Sequence, residues 1–76
     1  MRYFFHAEDG RSFHDTEGTE LDSEDDARFE AARVLGQLIN EDPRIVWHEA
    51  ALRLTVTDRD ARPLFTLDVV KTVAPR

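Results

Sequence analysis

Cysteine is absent from this 76-residue chain, and glycine and proline occur only three times each. Without cysteine there can be no disulfide, no thiolate metal site and no cysteine nucleophile, a composition compatible with a reducing compartment. The glycines stand alone at 10, 18 and 36, so no glycine-rich phosphate loop is present. Ser12, Thr16, Thr19 and Ser23 all lack the G-x-S-x-G setting of a nucleophile elbow. Long apolar runs are missing too. The stretch Tyr3-Phe4-Phe5 is far shorter than a secretory core or a membrane span, and a soluble cytoplasmic protein is the expectation.

Basic residues are in deficit, with ten Lys and Arg against sixteen Asp and Glu and a net charge of −6. Affinity for nucleic acid comes largely from neutralising phosphates, so DNA or RNA binding is disfavoured. Arg53, Arg59, Arg62 and Lys71 are interleaved with Asp58, Asp60 and Asp68, the pattern of a mixed solvated surface. The acids Glu17, Glu20, Asp22, Glu24, Asp25 and Asp26 lack the spacing of an EF-hand loop and are better placed as helix caps. No enzymatic activity and no cofactor is expected from these residues.

What is present is a single small domain over residues 1–76. At roughly 0.05–0.15 kcal/mol per residue its stability would be about 4–11 kcal/mol, so a badly exposed apolar face would matter. The clearest periodicity runs from Ser23 to Asn40, where Ala27, Ala31, Val34, Leu35 and Leu38 form one helical stripe with Ala32 and Ile39 at its margin. Asp22 or Ser23 can cap the first turn, and Glu24, Asp25 and Asp26 suit the positive end of the helix dipole. Asn40 can close the helix, and Pro43 forbids its continuation.

Strands are expected on both sides of this helix. Arg2 to Glu8 is dense in aromatics, and Asp9-Gly10 favours a two-residue hairpin turn before a short return strand, Ser12 to Asp15. Leu21, just ahead of the cap, should pack on the sheet. Ile45-Val46-Trp47 is either a loop over the core or the start of an extended segment. Ala51 to Asp58 alternates, with Leu52, Leu54 and Val56 on one face, and after a turn at Arg59 to Pro63 the last strand runs from Leu64 to Val73 with Phe65, Leu67 and Val69 on one face. The fold class is α+β: two β-hairpins form a four-stranded, mostly antiparallel sheet (β-β-α-β-β) covered on one face by one helix. Spatial order 2-1-3-4 is preferred to 2-1-4-3 because it keeps every neighbour antiparallel.

One helix covers one face of such a sheet, yet Tyr3-Phe4-Phe5, Leu64-Phe65 and Val69-Val70 place apolar side chains on both. The second face should therefore be covered by the Ile45 to Trp47 segment, by a second copy of the chain, or by another protein. Phe29 lies near Arg33 and Gly36, away from the core stripe, and is a candidate contact anchor with Gly36 as one side of a notch. Of the histidines, His6 and His14 face opposite ways if the first turn has two residues, and share a face with Asp15 and Glu17 nearby if it has three; His48 stands apart.

Several short motifs recur together in Arg2-Tyr3-Phe4-Phe5, Asp9-Gly10, Glu17-Gly18-Thr19-Glu20-Leu21, Ala31-Ala32-Arg33 and Asp58-Arg59-Asp60-Ala61-Arg62-Pro63-Leu64. In these the sequence resembles a family of small bacterial proteins and domains of unknown function. Its members open with R-Y-F-F, carry E-G-x-E-L before an Ala- and Arg-rich helix, and close with D-x-x-G-R-P-L. Ala61 departs from the pattern where glycine would stand, which argues against a left-handed residue in that turn. The resemblance implies a shared fold and supplies no catalytic residue.

Three functions follow as expectations. The first is a protein-interaction or regulatory module, homodimeric or partner-bound through the second sheet face, with Tyr3, Phe5, Phe29 and Trp47 as anchors, since aromatics dominate interface energetics. The second is an antitoxin-like or nucleic-acid-associated adaptor, on fold analogy alone. The third is a metal site built on histidine.

Overall fold

The computed structural model describes residues 1–48 and 50–76. Its elements are β1 (Arg2–Glu8), β2 (Ser12–Phe13), β3 (Thr19–Glu20), α1 (Glu24–Glu41), a short 3-10 helix (Pro43–Trp47), β4 (Leu52–Thr57) and β5 (Pro63–Val69). The sheet is antiparallel in order β2-β1-β4-β5, with β3 alongside β1 on the same edge as β2. The expected order of the two hairpins is thus observed, but the sheet has five strands, because the first return strand is broken in two.

The break has a specific cause. Ala7 pairs with Phe13 and Glu8 with Ser12, whereas Tyr3 pairs with Thr19 and Arg2 with Glu20. Five returning residues, 14–18, therefore stand opposite three, 4–6. The Asp15 carboxylate holds this excursion, accepting from the N–H of Glu17 (3.1 Å) and Gly18 (3.0 Å) with one oxygen and from the N–H of Phe5 (3.2 Å) with the other. It supplies to the edge of β1 the acceptor that a missing strand would have offered.

The first hairpin turn has three residues, Asp9-Gly10-Arg11, instead of two. Asp9 accepts the Arg11 N–H on its side chain at 3.2 Å, and Gly10 takes a φ of +98°. The same habit recurs: Asp42 accepts from the N–H of Arg44 and Asp58 from the N–H of Asp60, each two residues on. In the Asp58 turn Ala61 adopts a φ of +62°, so the left-handed residue is there despite the alanine.

Helix α1 begins as its sequence requires, with the Ser23 hydroxyl accepting from the Asp26 N–H at 3.1 Å. It runs one residue past Asn40 and is closed by Asp42, whose N–H donates to the Leu38 carbonyl. Pro43 then starts the 3-10 helix, which turns Ile45 into the core and Trp47 out to solvent. Ala27 and Ala31 are fully buried and let α1 sit close on Tyr3, Phe5, Leu54 and Val56. Toward β5, the Arg28 guanidinium lies 5.9 Å from the centroid of the Phe65 ring.

Cross-strand pairs on the helix side are Leu52–Val69, Leu54–Leu67 and Val56–Phe65, the three pairs that alternation predicts. Strand β5 stops at Val69, short of Val73, because β4 begins at Leu52 and offers no partner beyond it.

The second face of the sheet differs from expectation. It carries His6, Thr55, Thr57 and Thr66 and the Arg53–Asp68 pair, joined by contacts of 2.8 and 3.0 Å. Phe4, the large apolar residue of β1 on this side, is half-buried against Gly18, where a Cβ would lie 2.8 Å from the ring. The register shift between Val56 and Thr57 falls beside Leu64, and both Leu64 and Phe65 pack on the core. The chain's own 14–18 excursion, and not Ile45 to Trp47, covers Phe4, while Val70, just past the end of β5, stays 76 % exposed.

Three glycine and alanine positions separate these effects. Gly18→Ala is expected to cost about 1–3 kcal/mol, from a φ of +72° and overlap with Phe4. Gly36, on the exposed side of α1 with nothing within 4 Å, should gain roughly 0.5–1 kcal/mol as alanine. Relief of left-handed strain makes Ala61→Gly stabilising by up to about 1 kcal/mol once the entropy of glycine is subtracted. Urea unfolding of the three variants measures all of this, and a neutral Gly18→Ala would refute the contact.

Candidate functional site

Two groups of side chains have the makings of a site. The three-residue turn sets His6 and His14 on one face, ring centroids 4.8 Å apart and 60° between planes. The two-residue turn that would separate them is not formed. The Asp15 N–H donates to His6 Nδ1 at 3.2 Å, which makes Nδ1 an acceptor and leaves the ring proton on Nε2, 3.1 Å from the Thr57 hydroxyl. Both nitrogens are engaged within the fold, and no cluster of three metal-ligating side chains exists among the described residues. Burial and, after it, the neighbouring His14 lower the His6 pKa below its ordinary 6.5, against the opposing pull of Asp15. This is a polar joint between β1, the 14–18 excursion and β4.

The second group is a groove of about 460 Å³ where the first hairpin, the end of α1, the 3-10 helix and β4 meet. Ala7, Phe13, Leu38, Ile45 and Leu52 make its apolar lining, with Glu8, Asp9, Arg11, Glu41 and Asp42 around it. It exists because α1 seals the sheet tightly at Ala27 and Ala31 but leaves Leu38 only half-buried, and because β2 projects Phe13 from the helix side of the sheet at 67 % exposure. The hairpin tip is held by Asp9, which meets Arg11 at 3.4 Å and His48 Nδ1 at 3.5 Å. Burial opposes the charge on Asp9, but the Arg11 N–H and guanidinium outweigh it and bring its carboxyl below the ordinary range.

Of the residues expected as anchors, Tyr3 and Phe5 point under the helix, 4 % and 6 % exposed, because strand alternation puts them on the core face. That takes both out of reach of a partner in the folded chain. Phe29 and Trp47 are 60 % and 64 % exposed, and neither lines the groove. The sequence does not single out Phe13 or Glu41, and Leu38 enters only as part of the core stripe; an aromatic in so short a return strand was the available signal for the first.

A family model matches residues 2–70 under the description "Domain of unknown function (DUF6894)". The chain belongs to the DUF6894 family. No curated protein and no solved structure matches it. The family supplies no activity to the DUF6894 domain, so its function has to be argued from its own surface. No helix among the described residues is long and apolar enough to cross a membrane.

The polar joint predicts a pH profile. The folded His6 resists protonation that the unfolded chain accepts, so stability is undiminished above pH 6.5 and declines as pH falls below it. Asp15 adds a second loss in the same direction at lower pH. Partial burial raises its pKa, the N–H groups of Gly18, Phe5 and Glu17 lower it further than that, and its contribution is present above the ordinary 3.8 and lost as pH falls through the folded value. Thermal unfolding from about pH 8 to about pH 3 should show two separate declines, the upper one flattened in His6→Asn and the lower one in Asp15→Asn. An NMR titration placing His6 above 6.5 would contradict the assignment.

Proposed function

We propose that the DUF6894 domain is a protein-interaction module that binds through the groove between its first hairpin and the end of α1, and not through the second face of its sheet. The observation that supports this is Phe13, a large apolar side chain left exposed beside a concave apolar lining of Ala7, Leu38, Ile45 and Leu52. Concave apolar sites with an aromatic at the margin are where interfaces concentrate their energy. The volume lies inside the range of small-ligand and side-chain pockets, roughly 300–1,000 Å³.

A binding role is favoured over catalysis because the best-placed acid–base group, His6, has both ring nitrogens engaged inside the fold. It is favoured over a nucleic-acid adaptor because the chain carries a net charge of −6 and the groove is bordered mainly by carboxylates.

Selection from a random peptide library, followed by amide-shift mapping of a selected peptide, tests the reading. Shifts should centre on Phe13, Leu38 and Leu52, and Phe13→Ala should weaken binding about tenfold while leaving the unfolding midpoint nearly unchanged. Peptides that map instead to Phe29, Trp47 or the threonine face would show the surface to be misplaced.

A further inference from the structure

The charges around the groove say what kind of segment would fill it, an inference that rests on the groove being the binding surface. Three carboxylates, Asp9, Glu41 and Asp42, border it against one base, Arg11. Two of the three are already answered: Asp9 by Arg11 and His48, and Asp42 by Arg44 at 2.8 Å. The third is not. Glu41 accepts only the Gln37 amide at 3.2 Å and forms no ion pair among the described residues. Glu8, although its backbone lies at the rim, pairs with Arg53 and projects with it from the opposite face of the sheet. Helix α1 also ends at the groove without a basic side chain in its last turn, so the negative end of its dipole is left uncompensated there.

We infer that the groove receives a short basic peptide segment of a partner protein, in which one or two large apolar side chains enter between Phe13, Leu38, Ile45 and Leu52 while a flanking Arg or Lys side chain meets Glu41 at the end of α1. An acidic segment would bring like charge against Glu41 and the helix end, so the surface selects by repulsion as well as by attraction.

The test uses three fluorescent peptides of equal length on the full chain: Arg-Arg-Leu-Phe-Arg-Arg, the same with Glu for each Arg, and the same with Ala for Leu and Phe. The first should bind at the groove by amide shifts, with affinity falling several-fold between about 50 and about 300 mM salt. Glu41→Gln should weaken it several-fold without changing the unfolding midpoint, and Glu8→Gln, on the other face of the sheet, should leave it unchanged. Equal binding of the acidic peptide in the groove would overturn the charge preference and leave the groove standing as the interaction surface. Equal binding of the alanine peptide would reduce the site to unspecific charge and overturn the inference. Shifts outside the groove, or none with any peptide, would remove the interaction surface and the inference together.

Discussion

The far side of this sheet depends on the carboxylate of Asp15. Between β2 and β3 the edge of β1 has no strand beside it, and the Phe5 N–H would be left without a partner had Asp15 not turned back to accept it. By also holding the N–H groups of Glu17 and Gly18, the same side chain fixes where the chain passes, and it passes over Phe4. Burying a phenylalanine is worth roughly 1.5–3 kcal/mol, so one polar residue decides how much apolar surface this face of a small domain leaves exposed. It also sets the tautomer of His6 through its own N–H, which closes the one site that resembled acid–base machinery.

The parts of the fold legible in the sequence were those governed by periodicity and local caps. Ser23 starts the helix, Ala27 and Ala31 face inward, and Leu52, Leu54 and Val56 find Val69, Leu67 and Phe65, because a one-residue slip would turn one apolar set to the other face of the sheet. The three-residue turn and the split strand were not legible. Both arise where an aspartate side chain competes with the backbone for an N–H group, and hydrophobic pattern carries no trace of that competition. The sequence accordingly leaves open whether the two histidines share a face, and Asp9, by holding a three-residue turn, brings them together.

The groove was hidden for a different reason. Its lining comes from four segments, at positions 7–13, 38–42, 45 and 52, and it opens only because α1 presses close through small residues at its start and stands off through Leu38 near its end. A helical wheel shows which residues face the sheet and says nothing of how far from it they stop. Tyr3 and Phe5 were drawn into the anchor set by the apparent need to cover both faces, a need that Gly18 against Phe4 removes.

The acidic excess of the chain divides along the same line. Asp9, Asp15, Asp42 and Asp58 each accept the N–H two residues ahead, at Arg11, Glu17, Arg44 and Asp60, and so mark four turns. Aspartate is short enough to reach back to its own turn in this way, the property that makes it a turn residue. Glutamate, one methylene longer, does not fold onto the adjacent backbone in that geometry, so its charge stays directed outward. Four of the sixteen acids therefore serve the chain's changes of direction, and a count of acids overstates what is offered to a partner. The carboxylates left to meet a partner are the ones the fold does not use, and at the groove that is Glu41.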